Sequence, residues 1–95
     1  MKDVKTVVEE LKSLLPDDTH VYEESRRWKH YYSLSGLWDE GDYFDITFME
    51  TLKGRISIEV ASLTDNPLKI VNMIKDIEPD AEVEYFETTK TKKLA

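Results

Sequence analysis

One segment of the chain, residues 26–32, combines cationic and aromatic side chains in the sequence RRWKHYY. Cations beside aromatic rings can stack on single-stranded bases or bind an acidic partner. On a β-strand, Arg27, Lys29 and Tyr31 would lie on one face and could act together. The alternative is structural: the rings belong to the core, and the two preceding glutamates balance the charges. Because the rest of the chain is negative, a protein contact is favoured over nucleic acid here.

The two histidines, His20 and His30, are the side chains that could supply a general base or a metal ligand. Their spacing matches no motif such as H-x-x-x-H, and a general base also needs a nucleophile or a positioned water. The chain has no cysteine, and its three glycines fit no phosphate-binding loop. We therefore predict no catalytic residue, no metal site and no cofactor. A small enzyme with a pocket near His30 is the alternative.

An acidic run contains Asp39, Glu40 and Asp42, with Asp45 nearby. Clustered carboxylates can bind calcium or magnesium, but this spacing does not match the EF-hand loop. The run is typical of a solvated hairpin tip. Acidic side chains on one face could also bind a basic partner.

Composition and charge narrow the class of protein. The chain of 95 residues has a net charge of −7, and three lysines without an acid in residues 88–95 leave −10 for residues 1–87. This charge disfavours duplex nucleic acid as a partner, since phosphate contacts drive such binding.

No apolar run approaches the ~20 residues of a membrane span, and the N-terminus does not resemble a signal peptide. We expect a cytoplasmic protein without a membrane partner. The low Asn and Gln content is compatible with a thermophilic source and equally with chance.

The first predicted element is a helix over residues 3–15. Its apolar residues recur at helical spacing and form one stripe, which consists of Val4, Val7, Val8, Leu11, Leu14 and Leu15. Asp3 can cap the helix N-terminus, and Pro16 ends the helix because proline excludes the residue before it from the α region.

Residues 18–37 allow two interpretations. One is a pair of strands, 20–24 and 27–37; one face of the second strand then carries Trp28, His30, Tyr32 and Leu34. The other is a helix over residues 18–32. The aromatic residues and the Ser-Leu-Ser-Gly sequence that follows favour the strands.

Residues 43–63 predict a β-hairpin of two alternating strands, 43–51 and 55–63. A three-residue loop pairs Phe48 with Ile58 and gathers the apolar residues on one face, whereas a two-residue loop splits them between both faces. The favoured register requires Gly54 in the left-handed region.

A second helix begins at Asn66-Pro67 and ends before Pro79. A last strand over residues 82–87 follows, parallel to the fourth strand, with Val83 and Tyr85 facing inward. The predicted core comprises apolar residues of both helices and the last three strands: Val7, Val8, Leu11, Leu15, Phe44, Ile46, Phe48, Ile56, Ile58, Val60, Ile70, Ile74, Ile77 and Val83.

These elements predict an α+β fold, a two-layer α/β sandwich in the order α-β-β-β-β-α-β. The sheet is mainly antiparallel, and both helices cover one of its faces. Residues 1–87 form a single domain, and residues 88–95 form a basic tail that we expect to be disordered.

We predict a small acidic binding or regulatory protein without catalysis, which acts through the exposed face of its sheet. Its partner is a protein, with a second copy of the chain as one form. An inhibitor, antitoxin or immunity-type protein directed at a basic nucleic-acid-binding partner is the alternative from another class. The predicted partner-binding residues are cationic, aromatic or small residues of the central strands: Arg27, Lys29, Tyr31, Tyr43, Thr47 and Met49.

Overall fold

The computed structural model describes residues 3–38, 42–62 and 67–87. The elements follow the predicted order α-β-β-β-β-α-β, and the α+β class is confirmed. Their bounds are α1 (Val4–Leu14), β1 (His20–Ser25), β2 (Lys29–Trp38), β3 (Asp42–Thr51), β4 (Ile56–Ser62), α2 (Leu68–Ile77) and β5 (Val83–Glu87). The predictions for Asn66, for residues 39–40 and for the tail 88–95 lie outside the described residues.

The N-terminus of α1 is capped as the sequence predicts. The Asp3 carboxylate accepts a hydrogen bond from the Thr6 N–H at 2.8 Å. This bond satisfies one of the N–H groups that the first turn leaves without a helical partner. At the other end, the Leu15 N–H donates to the Lys12 carbonyl at 3.1 Å, directly before Pro16. Leu14 was predicted on the apolar stripe but is exposed, whereas Leu15 is buried.

The five strands form one sheet in sequence order. The pairs β1–β2, β2–β3 and β3–β4 are antiparallel, and β4–β5 is parallel, as predicted. Residues 20–38 form two strands, so the strand interpretation is confirmed and the helix over 18–32 is wrong. The turn between them spans Arg26–Trp28, which moves Arg27 and Trp28 out of the predicted strand.

The register of β3 and β4 is the predicted one. Phe48 lies opposite Ile58, and Ile46 lies opposite Val60. The loop is closed by the Gly54 N–H, which donates to the Thr51 carbonyl at 2.9 Å. Gly54 has a φ of 81°, in the left-handed region that non-glycine residues avoid. The buried apolar residues of both strands therefore lie on one face.

Buried side chains from both helices and from β2, β3 and β4 form one hydrophobic cluster. It contains most of the predicted core and adds five residues: Val4, Tyr32, Leu34, Val71 and Ala81. Ile56, Ile77 and Val83 are only partly buried against it. The placement of both helices over the same face of the sheet stays a prediction.

Two aromatic residues lie outside this cluster against expectation. Trp28 is 64% exposed because it lies in the β1–β2 turn rather than in β2. Tyr85 is 43% exposed although it lies opposite Val60, because β5 is the edge strand of the sheet. The core position of Trp28 is therefore wrong, whereas Tyr85 lies on the core side of the sheet as predicted but remains exposed.

Gly54→Ala should destabilise the protein by about 1 kcal/mol, since the left-handed conformation strains an L-residue. A Cβ at Gly54 would meet no heavy atom within 4 Å, so conformation alone sets the cost. Gly54→Asn is the control, because asparagine tolerates this region better. Chemical denaturation measures both. Equal losses for Ala and Asn, or no loss for Ala, would contradict the assigned turn.

Asp3→Ala should lower the stability at neutral pH by removing the helix cap. The hydrogen bonds from Thr6 hold the pKa of Asp3 below its ordinary value of 3.8. A lowered folded-state pKa adds stability above pH ~4, and this stability is lost as the pH falls through the lowered pKa. The deficit of the variant relative to the wild type should therefore shrink in acid. Thermal unfolding across the pH range measures it, with the exposed Glu9→Ala as control. A deficit that does not change with pH would refute the cap's role.

Candidate functional site

The sheet has one buried face and one accessible face, which we call the outer face. Along each strand, side chains alternate between the two, so the outer face consists of the residues between the core positions. Its described members are His20, Tyr22, Glu24, Lys29, Tyr31, Ser33, Ser35, Leu37, Tyr43, Asp45, Thr47, Met49, Thr51, Ser57, Glu59, Ala61, Glu84 and Phe86.

Strand pairing arranges these residues in rows across the sheet. Tyr31 lies opposite Met49, and both are half-buried. The next row contains the small polar pair Ser33 and Thr47. Such directly opposed side chains contact each other across the strands. The centre of the outer face is therefore a continuous surface of rings, a thioether and small hydroxyl groups.

Large apolar side chains project from the outer face toward its margins. Leu37 is 57% exposed, Tyr22 51%, Phe86 49% and Tyr43 37%. Tyr43 belongs to the predicted partner-binding set, and the other three were missed. Alternation along β1 and β5 places Tyr22 and Phe86 on one face of the sheet. Only the pairing of these strands with their neighbours shows that this is the outer face.

Three carboxylates lie together on the outer face. Glu59 lies opposite Glu84 on the neighbouring strand, and both are exposed. Asp45 lies opposite Ala61, one row away, and accepts a hydrogen bond from the Ser33 hydroxyl at 3.2 Å. Neither Glu59 nor Glu84 forms an ion pair with a described residue. Adjacent like charges are unfavourable, so this corner of the outer face is electrostatically suited to a cation.

The basic segment forms the tight turn between β1 and β2. The Arg26 N–H donates to the Lys29 carbonyl at 2.8 Å, and the Lys29 N–H donates back at 3.3 Å. The Arg27 guanidinium lies 5.7 Å from the centroid of the Trp28 ring. Arg27 therefore does not share a strand face with Lys29 and Tyr31, which corrects the prediction.

Arg26 joins a network at the β1 edge of the outer face. Its Nε donates to the Glu24 Oε2 at 2.6 Å, and its guanidinium lies 5.3 Å from the centroid of the Tyr31 ring. The Tyr22 hydroxyl donates to the Glu24 Oε1 at 3.1 Å. The bond from Arg26 lowers the pKa of Glu24, and the bond to Glu24 raises the pKa of Tyr22. This network positions the Tyr31 ring beside a cation.

Five of the six predicted partner-binding residues lie together on the outer face. They are Lys29, Tyr31, Tyr43, Thr47 and Met49. Within the set, Tyr31 and Met49 are directly opposed, Lys29 lies at one end opposite Thr51, and Tyr43 lies at the other end opposite Leu37.

The histidines lie apart. His20 is opposite Ser35 and His30 is opposite Ser25, five positions along β1, which is roughly 17 Å at about 3.3 Å per residue. His30 Nε2 lies 2.8 Å from the Glu23 Oε2, and the surface beside His30 is an open depression. Among the described residues, no group of three or more His, Cys, Asp or Glu side chains is arranged to hold a metal ion. The two histidines therefore do not form one site, and the enzymatic alternative, a pocket near His30, stays a prediction.

Comparison with protein-family models, with curated protein sequences and with solved structures finds no match. In the described parts of the chain, no helix combines the length and the apolar character that crossing a membrane requires. The function must therefore be inferred from the geometry of the outer face itself.

Glu24→Gln should lower the pKa of Tyr22 toward its ordinary value of 10.0, since the carboxylate that accepts a hydrogen bond from the Tyr22 hydroxyl is removed. NMR titration of ¹³C-labelled tyrosine rings, up to about pH 11, measures this change. Glu23→Gln is the control because the Glu23 carboxylate contacts His30 instead. An unchanged Tyr22 titration in Glu24→Gln would refute the network.

Proposed function

We propose that this protein is a small non-catalytic binding protein that contacts a partner protein through the outer face of its sheet. The observation that carries the proposal is the exposure of Tyr22, Leu37, Tyr43 and Phe86 on that face. Aromatic and methionine side chains are enriched at protein interfaces, and the directly opposed Leu37 and Tyr43 form exposed apolar surface of the kind that marks contact sites.

Charge supports a partner with a basic surface. The carboxylates of Asp45, Glu59 and Glu84 lie on one side of the outer face, while the Glu24 carboxylate is already paired with Arg26. A partner that places lysines or arginines over Glu59 and Glu84 relieves their mutual repulsion. Its apolar side chains then pack on the central rings.

The same carboxylates argue against a homodimer whose twofold axis runs across the strands of this face. Such an axis would bring Glu59 and Glu84 of the two copies toward each other. Like charges face to face cost binding energy. We therefore favour a different protein as the partner. A mass of two chains by light scattering at neutral pH would instead support the homodimer.

One version of the proposal is an inhibitor or immunity-type protein whose acidic surface covers the basic site of a nucleic-acid-binding protein. It predicts a continuous patch of carboxylates. Glu59, Glu84 and Asp45 supply the described part of this patch, and the apolar and small polar residues Ala61, Phe86 and Thr47 adjoin them. Glu82 precedes β5 and lines a cavity on the core side of the sheet, so it is not counted in this patch. The adjacent pair Glu59 and Glu84 favours the version.

Tyr43→Ala and Tyr31→Ala should each weaken the partner contact about 5- to 30-fold, the usual effect of truncating an aromatic anchor of an interface. Affinity capture from the native lysate with quantitative mass spectrometry identifies the partner, and titration with the purified partner gives the loss.

Tyr85→Ala is the matched control for Tyr43→Ala. Tyr85 is 43% exposed, close to the 37% of Tyr43, but it lies opposite the buried Val60 and so belongs to the other side of the sheet. Tyr85→Ala should leave the captured set unchanged. If Tyr43→Ala and Tyr31→Ala also leave it unchanged, the outer face is not the binding surface.

A further inference from the structure

A cavity of about 200 Å³ opens between the start of α1, the core face of β3 and β4, and the segment that joins α2 to β5. Its walls include the apolar side chains of Val4, Phe48 and Ile58. An apolar cavity of about 150 Å³ holds benzene, whereas drug-sized pockets begin at about 300 Å³. The cavity therefore fits a ligand of roughly six to eight heavy atoms.

Three acidic residues line this cavity. The lining includes Glu78, Asp80 and Glu82, and the described residues that line it include no lysine or arginine. Glu78 is buried, and its Oε2 accepts a hydrogen bond from the Asp80 N–H at 3.5 Å. Asp80 and Glu82 are exposed, so their charges remain hydrated while they face the opening.

The geometry points to a binding site for a small primary alkylammonium ion, and we propose this ligand class. The alkyl chain lies against Val4, Phe48 and Ile58, and the ammonium group lies between the Asp80 and Glu82 carboxylates. An ammonium ion offers three donors to two carboxylates, and each methylene that becomes buried tightens binding up to about fourfold. Anionic ligands of the same length are repelled by the rim.

The same alkylammonium group occurs on free amines and on lysine side chains. Because the cavity is on the core side of the sheet, the site does not depend on the partner contact proposed for the outer face. Loss of one leaves the other intact.

The probe is n-hexylamine, with n-hexanol and hexanoate as ligands of matched length. Two-dimensional ¹H–¹⁵N NMR titration at low salt should shift the amides of Val4, Ile58 and Ala81, which line the cavity. Hexylamine should bind about fivefold tighter than hexanol, and hexanoate should bind weakest. Blocked lysine is titrated in parallel: tighter binding of hexylamine assigns the site to free amines, and tighter binding of blocked lysine assigns it to a lysine side chain.

The double variant Asp80→Asn/Glu82→Gln should weaken hexylamine about fivefold and leave hexanol unchanged. Asp17→Asn/Asp18→Asn removes the same charge from exposed positions in the α1–β1 turn, outside the cavity, and should leave both ligands unchanged. Equal binding of hexylamine and hexanol, shifts spread over the surface, or an equal loss in the two double variants would overturn the proposal.

Discussion

The division of the sheet into two faces depends on the pairing of β3 with β4. Opposing Phe48 to Ile58 and Ile46 to Val60 places the five buried apolar side chains of the two strands on one side: Phe44, Ile46, Phe48, Ile58 and Val60. A slip of one residue would invert one strand and expose half of these side chains. Gly54 permits this register. Its φ of 81° allows the three-residue loop that aligns Phe48 with Ile58. The composition of the outer face follows from the same constraint.

Because one face of the sheet forms the core, packing does not determine the residue types on the other face. The core positions of β2–β4 are filled by apolar residues from Tyr32 to Val60, as packing requires. The outer positions instead combine aromatic rings, small hydroxyls and carboxylates such as Glu59 and Glu84, which form no ion pair with the residues that the structure describes. Packing alone does not require rings at exposed margins, so their presence carries the functional proposal. The cavity at the start of α1 is a separate feature of the core side.

The sequence predicts the features that depend on local pattern. Alternation and one glycine suffice for the β3–β4 register, and Asp3 followed by an apolar stripe suffices for the capped helix. Burial at the margins depends on tertiary position instead: Trp28 falls in a turn, and Tyr85 lies on an edge strand. The cavity joins α1, the sheet and the segment before β5, and no local pattern encodes the approach of these segments. The outer face was predictable in its centre and not at its edges.

The most direct measurement is a nuclear Overhauser spectrum of the labelled protein across β3 and β4. It reads the register on which both faces depend without relying on any partner. The account predicts cross-strand contacts between the backbone protons of Phe48 and Ile58 and between those of Ile46 and Val60. Contacts that pair Phe48 with Glu59 instead would show a slipped register, and the outer face described above would not exist.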